Sequence, residues 1–74
     1  MTRINETAER IAQDIAAGCR PITLQSGREM AGDVFYSSVW SRVTSTVGKR
    51  NKARHSLSSA VCDRLRDMNI YLHS

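Results

Sequence analysis

A helical repeat of apolar residues near the start of the chain is the strongest constraint on its fold. The repeated residues lie three or four positions apart, which places them on one face of an α-helix. Gly18 is expected to end this helix in the left-handed conformation, and Pro21 prevents its continuation. The sequence therefore predicts an amphipathic helix whose apolar face needs a partner. Its apolar residues are Ile4, Ala8, Ile11, Ala12, Ile15 and Ala16.

A capping box predicts the start of a second helix. Ser26 and Glu29 have the spacing at which a serine and a glutamate satisfy the first amides of a helix, so this helix begins directly after Ser26. Its apolar stripe is interrupted after Val34, because the next positions at helical spacing are serines. We therefore place a turn at about 35–38, with one continuous helix over 27–48 as the alternative.

Two more helices are predicted after that turn. A serine at 37–38 is expected to cap a third helix that ends at Gly48. Ser56 or Ser58 is expected to cap a fourth, which ends near Asn69. The chain has 74 residues, so we expect one domain spanning residues 1–74.

Short apolar segments at 22–24 and 70–72 could pair as a minimal two-stranded sheet. The pattern of Met30, Ala31 and Val34 suits the first helix of a helix-turn-helix motif. The predicted fold class is therefore mainly all-α: a small domain of three to four helices, helix-turn-helix-like, which could include this sheet.

Positive charge is concentrated in the second half of the chain. Residues 1–37 have four basic and five acidic residues, and residues 38–74 have seven basic and two acidic residues, so the net charges are −1 and +5. No carboxylate side chain occurs in the sequence between Asp33 and Asp63. A folded form of this sequence is expected to carry a positive surface. Such a surface attracts polyanions, because each phosphate that is bound releases condensed counterions.

Hydroxyl side chains accompany the positive charges of this stretch. In a recognition helix, Arg42 and Ser45 would face base edges, while the basic connector after Gly48 would contact the phosphate backbone. The sequence thus predicts a small basic nucleic-acid-binding protein, with DNA favoured over RNA. We expect a DNA-binding transcription regulator of phage or plasmid type. The candidate nucleic-acid-binding residues are Ser38, Ser41, Arg42, Ser45, Thr46, Lys49, Arg50, Lys52 and Arg54.

The same charges have a second interpretation, as a solvated surface or a contact for an acidic protein. Phe35, Tyr36 and Trp40 are expected to form the core between the second and third helices. If they are exposed, they become a protein-binding surface. The protein would then be a small inhibitor or adaptor, antirepressor-like or a defence inhibitor, without catalytic activity. The first helix could also pair with itself in a homodimer.

The sequence gives no support for catalysis or for a bound cofactor. Cys19, Cys62, His55 and His73 lack the spacing of metal ligands. The sequence has neither a nucleophile elbow nor a glycine-rich phosphate loop. We therefore expect no enzyme activity, no cofactor and no metal. The sequence also lacks a secretory signal and a membrane-spanning apolar run, which predicts a cytoplasmic protein with reduced thiols.

Overall fold

The computed structural model describes residues 2–73, with side chains described for 4–73. The described part of the chain is mainly helical and includes small sheets, in line with the predicted class. It has three helices and four short strands. In chain order these are α1 (Thr2–Ala17), β1 (Ile22–Thr23), β2 (Glu29–Met30), β3 (Gly32–Phe35), α2 (Tyr36–Val47), α3 (Arg54–Asp67) and β4 (Ile70–His73).

The predicted first helix is confirmed as α1, and it packs mainly against α3. Four residues of its apolar stripe, Ala8, Ile11, Ala12 and Ile15, are buried in the core, whereas Ile4 is 37% exposed. Gly18 follows the helix without adopting a positive φ, and its N–H donates to the Ile15 carbonyl at 3.0 Å. The core residues are Ala8, Ile11, Ala12, Ile15, Val39, Val43, Leu57, Val61, Cys62, Leu65 and Ile70.

The predicted helix over residues 27–34 is wrong. Gly27 has a φ of 85°, which a right-handed helix excludes, and it lies in the turn that joins β1 to β2. The Leu24 N–H donates to the Arg28 carbonyl at 2.8 Å, which closes this hairpin. Ser26 and Glu29 therefore belong to a hairpin, and the capping box does not operate. The first helix predicted for a helix-turn-helix motif is absent from these residues.

The predicted pairing of 22–24 with 70–72 is also wrong. β1 pairs with β2 in an antiparallel hairpin, whereas β4 pairs with β3 in parallel. A short turn suffices for the hairpin, and α2 and α3 together form the crossover that parallel strands require. β4 thus pairs with β3, a segment that the sequence analysis had placed largely in a helix.

The observed ends of α2 and α3 agree only in part with the ends predicted from the sequence. α2 begins directly after β3, with Phe35 at its N-cap and no side-chain capping bond, so the predicted serine cap at 37–38 is wrong. Its predicted end at Gly48 is confirmed. α3 begins at Arg54, two residues before the first predicted cap. Asn69 has a φ of 64° just beyond α3, which is a frequent way for a helix to end.

The β3–β4 sheet has an apolar inner face and an aromatic outer face. Ile70 is buried, and Val34 and Leu72 pack against the core. Gly32 lies against the segment that follows α1, and a Cβ atom built on it would lie 2.3 Å from the Cβ of Cys19. Side chains alternate along each strand, so the neighbouring residues point outward. The outer face consists of Asp33, Phe35, Tyr71 and His73.

Candidate nucleic-acid interface

The predicted recognition helix corresponds to α2, and its side chains divide between core and solvent. Val39 and Val43 are buried, which fixes the orientation of the helix. Trp40 and Val47 are half-buried at the edge of the core. The opposite face is exposed, as the helical spacing predicts, and carries Ser38, Ser41, Arg42, Ser45 and Thr46.

Two shallow depressions lie side by side along α2 and share Ser41 and Ser45. The first depression is lined by Arg42 together with Ser37, Ser38 and the two shared serines. The second runs toward the end of the helix and is lined by Trp40, Ser41, Thr44, Ser45, Gly48, Lys49 and Arg54. We call this continuous strip the basic surface; it consists of Ser37, Ser38, Ser41, Arg42, Thr44, Ser45, Lys49 and Arg54.

Arg54 is held in place at one end of the basic surface. Its guanidinium lies over the Trp40 ring, 4.8 Å from the ring centroid. Its Nε donates to the Asn51 carbonyl at 3.3 Å, and its Nη1 donates to Thr44 Oγ1 at 3.4 Å. The ring of His55 also contacts Trp40, with 4.9 Å between centroids. These contacts keep the positive charge of Arg54 beside the hydroxyls of α2.

The loop over 48–53 presents the other basic residues. Gly48 has a φ of 92°, which turns the chain out of α2, and the Asn51 side chain accepts from the Ala53 N–H at 2.8 Å. Lys49, Arg50 and Lys52 are exposed. Lys49 lines the second depression, whereas Arg50 and Lys52 line neither of the two and extend the positive charge along the loop.

The cations of this region have no carboxylate partner among the described residues 2–73. The ion pairs found there join Arg64 to Glu9 at 3.3 Å and Arg66 to Asp63 at 3.0 Å, and His73 contacts Asp33 at 3.0 Å. The positive charges on α2, on the following loop and at the start of α3 therefore remain available to an external anion. The cations concerned are Arg42, Lys49, Arg50, Lys52 and Arg54.

Thr46 contributes less than the sequence predicts. Its hydroxyl is exposed but donates to the carbonyl of Arg42 at 2.8 Å, within the helix. It lines neither depression, so it lies beside the basic surface. The hydroxyl keeps its capacity to accept a hydrogen bond.

The expectation that Phe35 and Tyr36 form part of the core is wrong. Phe35 is 53% exposed and Tyr36 is 40% exposed, because both lie at the junction where the outer sheet face meets α2. The Tyr36 hydroxyl accepts from Arg66 Nη2 at 3.1 Å, and this bond raises the pKa of the Arg66 guanidinium above its ordinary value. Trp40 is half-buried.

The structure adds an aromatic group that the sequence analysis did not single out. The His73 ring lies between the rings of Phe35 and Tyr71, at centroid distances of 4.6 Å and 4.7 Å. Its Nε2 lies 3.0 Å from Asp33 Oδ2. We call Phe35, Tyr71 and His73 the aromatic face. The alternation of Ile70, Tyr71, Leu72 and His73 was the available signal, since it is typical of a half-buried strand.

The two cysteines belong to separate parts of the structure and are free thiols. Burial raises the pKa of the Cys62 thiol, and nearby Asp63 adds to the effect while Arg66 opposes it. Burial, followed by the charge of Asp33, raises the pKa of Cys19. Both thiols therefore favour the protonated form, which is the less nucleophilic one.

Comparison of the chain with protein-family models, curated proteins and solved structures finds no match. None of the helices within residues 2–73 combines the length and the apolar character that crossing a membrane requires.

Proposed function

We propose that this protein binds nucleic acid, with DNA favoured over RNA, through the basic surface and the adjoining loop. The observation that carries the proposal is the arrangement along α2. Arg42, Lys49 and Arg54 surround a row of exposed serine hydroxyls and have no carboxylate partner within the described residues. Cations and hydroxyls together are the groups that contact phosphates and sugars.

In this proposal the cations of the loop supply affinity, and the exposed side chains of α2 supply sequence preference. The loop cations at 49–52 would contact phosphates, which act on every sequence alike. Arg42 and Ser45 are on the exposed face of α2 and would reach base edges in a major groove. α2 would then have the position of a recognition helix, although the strand β3 precedes it where a helix-turn-helix motif has its first helix. Transcription regulation of a phage or plasmid type remains the use that we predict for such binding.

The proposal is tested by fluorescence polarisation on a random-sequence DNA duplex at two salt concentrations. A variant with Lys49→Ala, Arg50→Ala and Lys52→Ala removes three exposed cations and leaves Arg54, which holds the loop. We expect its affinity to fall about tenfold or more at roughly 50 mM salt, and the slope of log affinity against log salt to shrink by about 2–3.

A matched variant controls for net charge. Arg10→Ala, Arg20→Ala and Arg28→Ala remove the same charge from exposed residues of α1 and of the segment around β1 and β2. This control is expected to keep the wild-type slope. Equal losses in the two variants, or no binding by the wild type at roughly 50 mM salt, would reject the proposal.

A second candidate function is a protein-binding inhibitor or adaptor without catalytic activity. It is favoured by the exposure of Phe35 and Tyr36, because exposed aromatic rings near an arginine are typical of interface anchors. Pull-down from a lysate before and after nuclease treatment separates the two functions. A protein partner that survives the nuclease favours the inhibitor, and loss of every partner favours nucleic-acid binding.

A further inference from the structure

We propose that the aromatic face binds the bases of single-stranded nucleic acid. This inference rests on the proposed function and adds a second ligand to it, a single strand that would bind in addition to the duplex that α2 contacts. Phe35 is 53% exposed and Tyr71 is 42% exposed, and the His73 ring bridges them. Exposed rings offer stacking platforms for bases, and every base has a face that can stack.

The rings are held on a rigid support. β3 and β4 pair along their whole length, and the register sets Phe35 beside His73 and Asp33 beside Tyr71. The contact between His73 Nε2 and Asp33 Oδ2 at 3.0 Å fixes the central ring. A binding group on paired strands loses little freedom when its ligand arrives, so stacking is not offset by the cost of ordering a loop.

The aromatic face leads directly into the basic surface. Phe35 is both the last residue of β3 and the N-cap of α2. Ser37 and Ser38 follow in the first turn of α2 and line the depression that contains Arg42. When the bases of a nucleic-acid strand stack on the rings, its phosphates can therefore contact the serine hydroxyls and Arg42. This continuity joins the two kinds of contact that single strands use.

Charge favours a single strand of nucleic acid, rather than a second copy of the chain, as the ligand of the aromatic face. The formal net charge is +4, so two copies repel each other while a polyanion is attracted. Of the charged groups near the rings, Arg66 is paired with Asp63, and Asp33 contacts the ring nitrogen of His73. The aromatic face therefore adds apolar stacking area to a site whose attraction comes from the basic surface.

The form of nucleic acid follows from the chemistry of stacking. In a duplex each base is covered on both faces by its neighbours, and only its edges are open in the grooves. A single strand can unstack and place its bases on the rings. We therefore expect the protein to bind a single strand more tightly than a duplex of the same length.

The test compares a labelled oligothymidylate of about 15 nucleotides with a duplex of equal length, by fluorescence polarisation. Combined Phe35→Ser and Tyr71→Ser is expected to weaken single-strand binding about tenfold or more and to leave duplex binding within about twofold. Combined Phe35→Tyr and Tyr71→Phe keeps both rings and is expected to keep the single-strand affinity. Ile4→Ala, which removes an exposed apolar side chain from α1, is expected to change neither.

The outcomes separate this inference from the proposed function. Wild-type protein that binds neither form overturns both. Wild-type protein that binds the duplex as tightly as the single strand, with no effect of the serine variant, overturns only the role of the aromatic face. A wild-type dimer in sedimentation that the serine variant converts to monomers, at unchanged strand affinity, shows a second copy on this face and also overturns the inference.

A measurement on the wild type covers the case in which the serine variant fails to fold. A strand containing iodouracil is photo-crosslinked to the protein, and the attached peptides are identified by mass spectrometry. Crosslinks at Phe35, Tyr71 or His73 support the inference. Crosslinks confined to the loop at 48–53 contradict it.

Discussion

Arg54 has two roles in the basic surface. It contributes a positive charge, and its contacts hold the surface in place. It contacts the ring of Trp40 and donates to the Asn51 carbonyl and to Thr44. These partners come from α2 and from the loop that follows it, so Arg54 ties the loop to the helix. A guanidinium suits this position because it can stack on a ring and donate in several directions, whereas an ammonium cannot stack in the same way.

Arg54→Lys is therefore expected to destabilise the protein although it preserves the charge. The loss of the stacked guanidinium should lower the free energy of unfolding by about 0.5–1 kcal/mol, since the site is partly exposed. Urea denaturation followed by the fluorescence of Trp40, the single tryptophan, measures the change. Lys52→Arg on the exposed loop is the matched control and should leave the stability unaltered. Equal stability of Arg54→Lys and wild type would show that the stacking contributes nothing.

At the scale of secondary structure, the elements that the sequence predicted correctly are those that local periodicity determines. The apolar stripe of α1 repeats over four turns, and the exit from α2 needs a glycine with positive φ at Gly48. The segment over 26–35 is different, because β2 pairs with β1 in a hairpin and β3 pairs with a strand about 40 residues away. A local capping pattern at Ser26 and Glu29 could reveal neither pairing.

The candidate site was predictable to a similar degree. Ser41, Arg42 and Ser45 were placed on one face by helical spacing, and the structure has them exposed together on α2. The stacking of Arg54 on Trp40 was not predictable, since it depends on how α3 packs against α2. Tyr71 was missed because its exposure follows only from the parallel pairing of β4 with β3.

Replacing a side chain by alanine is expected to change the stability by different amounts on the two faces of β4. Ile70 is buried in the core, and Tyr71, its neighbour, is 42% exposed on the outer face. Ile70→Ala should lower the free energy of unfolding by about 2–5 kcal/mol, as for other buried aliphatic residues. Tyr71→Ala should cost less than about 1 kcal/mol, because its ring keeps much of its solvent contact in the folded protein. Thermal or urea denaturation of both variants tests the assignment, and a larger effect at Tyr71 would mean that the strand faces are reversed.

At the scale of the whole molecule, burial and charge are unevenly distributed. The core is built by α1, α2, α3 and β4, which leaves the outer faces of α2 and of the β3–β4 sheet to solvent. One of these faces is positive and the other is aromatic, and they meet at Phe35. In a chain of 74 residues, this arrangement leaves both faces open to binding without disturbing the core.

The raised pKa values of the two thiols predict that the stability of the protein falls at alkaline pH. Because the pKa values of Cys62 and Cys19 are raised in the folded protein, the unfolded chain loses these protons first. Their contribution to stability is complete below the ordinary thiol pKa of about 8.5 and is lost as the pH rises through the folded values. Urea denaturation at about pH 7 and about pH 10 measures the fall. Cys62→Ala should reduce the fall relative to wild type, and an identical fall in that variant would exclude a role for this thiol.

The proposed nucleic-acid binding is tested most directly by following backbone amide signals of the isotope-labelled protein in NMR spectra. An oligonucleotide is titrated into the full chain at low salt, and the residues whose signals move are mapped onto the fold. We expect the largest shifts over 37–54, which covers the basic surface and its loop, with further shifts at the aromatic face when the oligonucleotide is single-stranded. Shifts that cluster on α1 or on the β1–β2 hairpin, or an unchanged spectrum, would contradict nucleic-acid binding by α2.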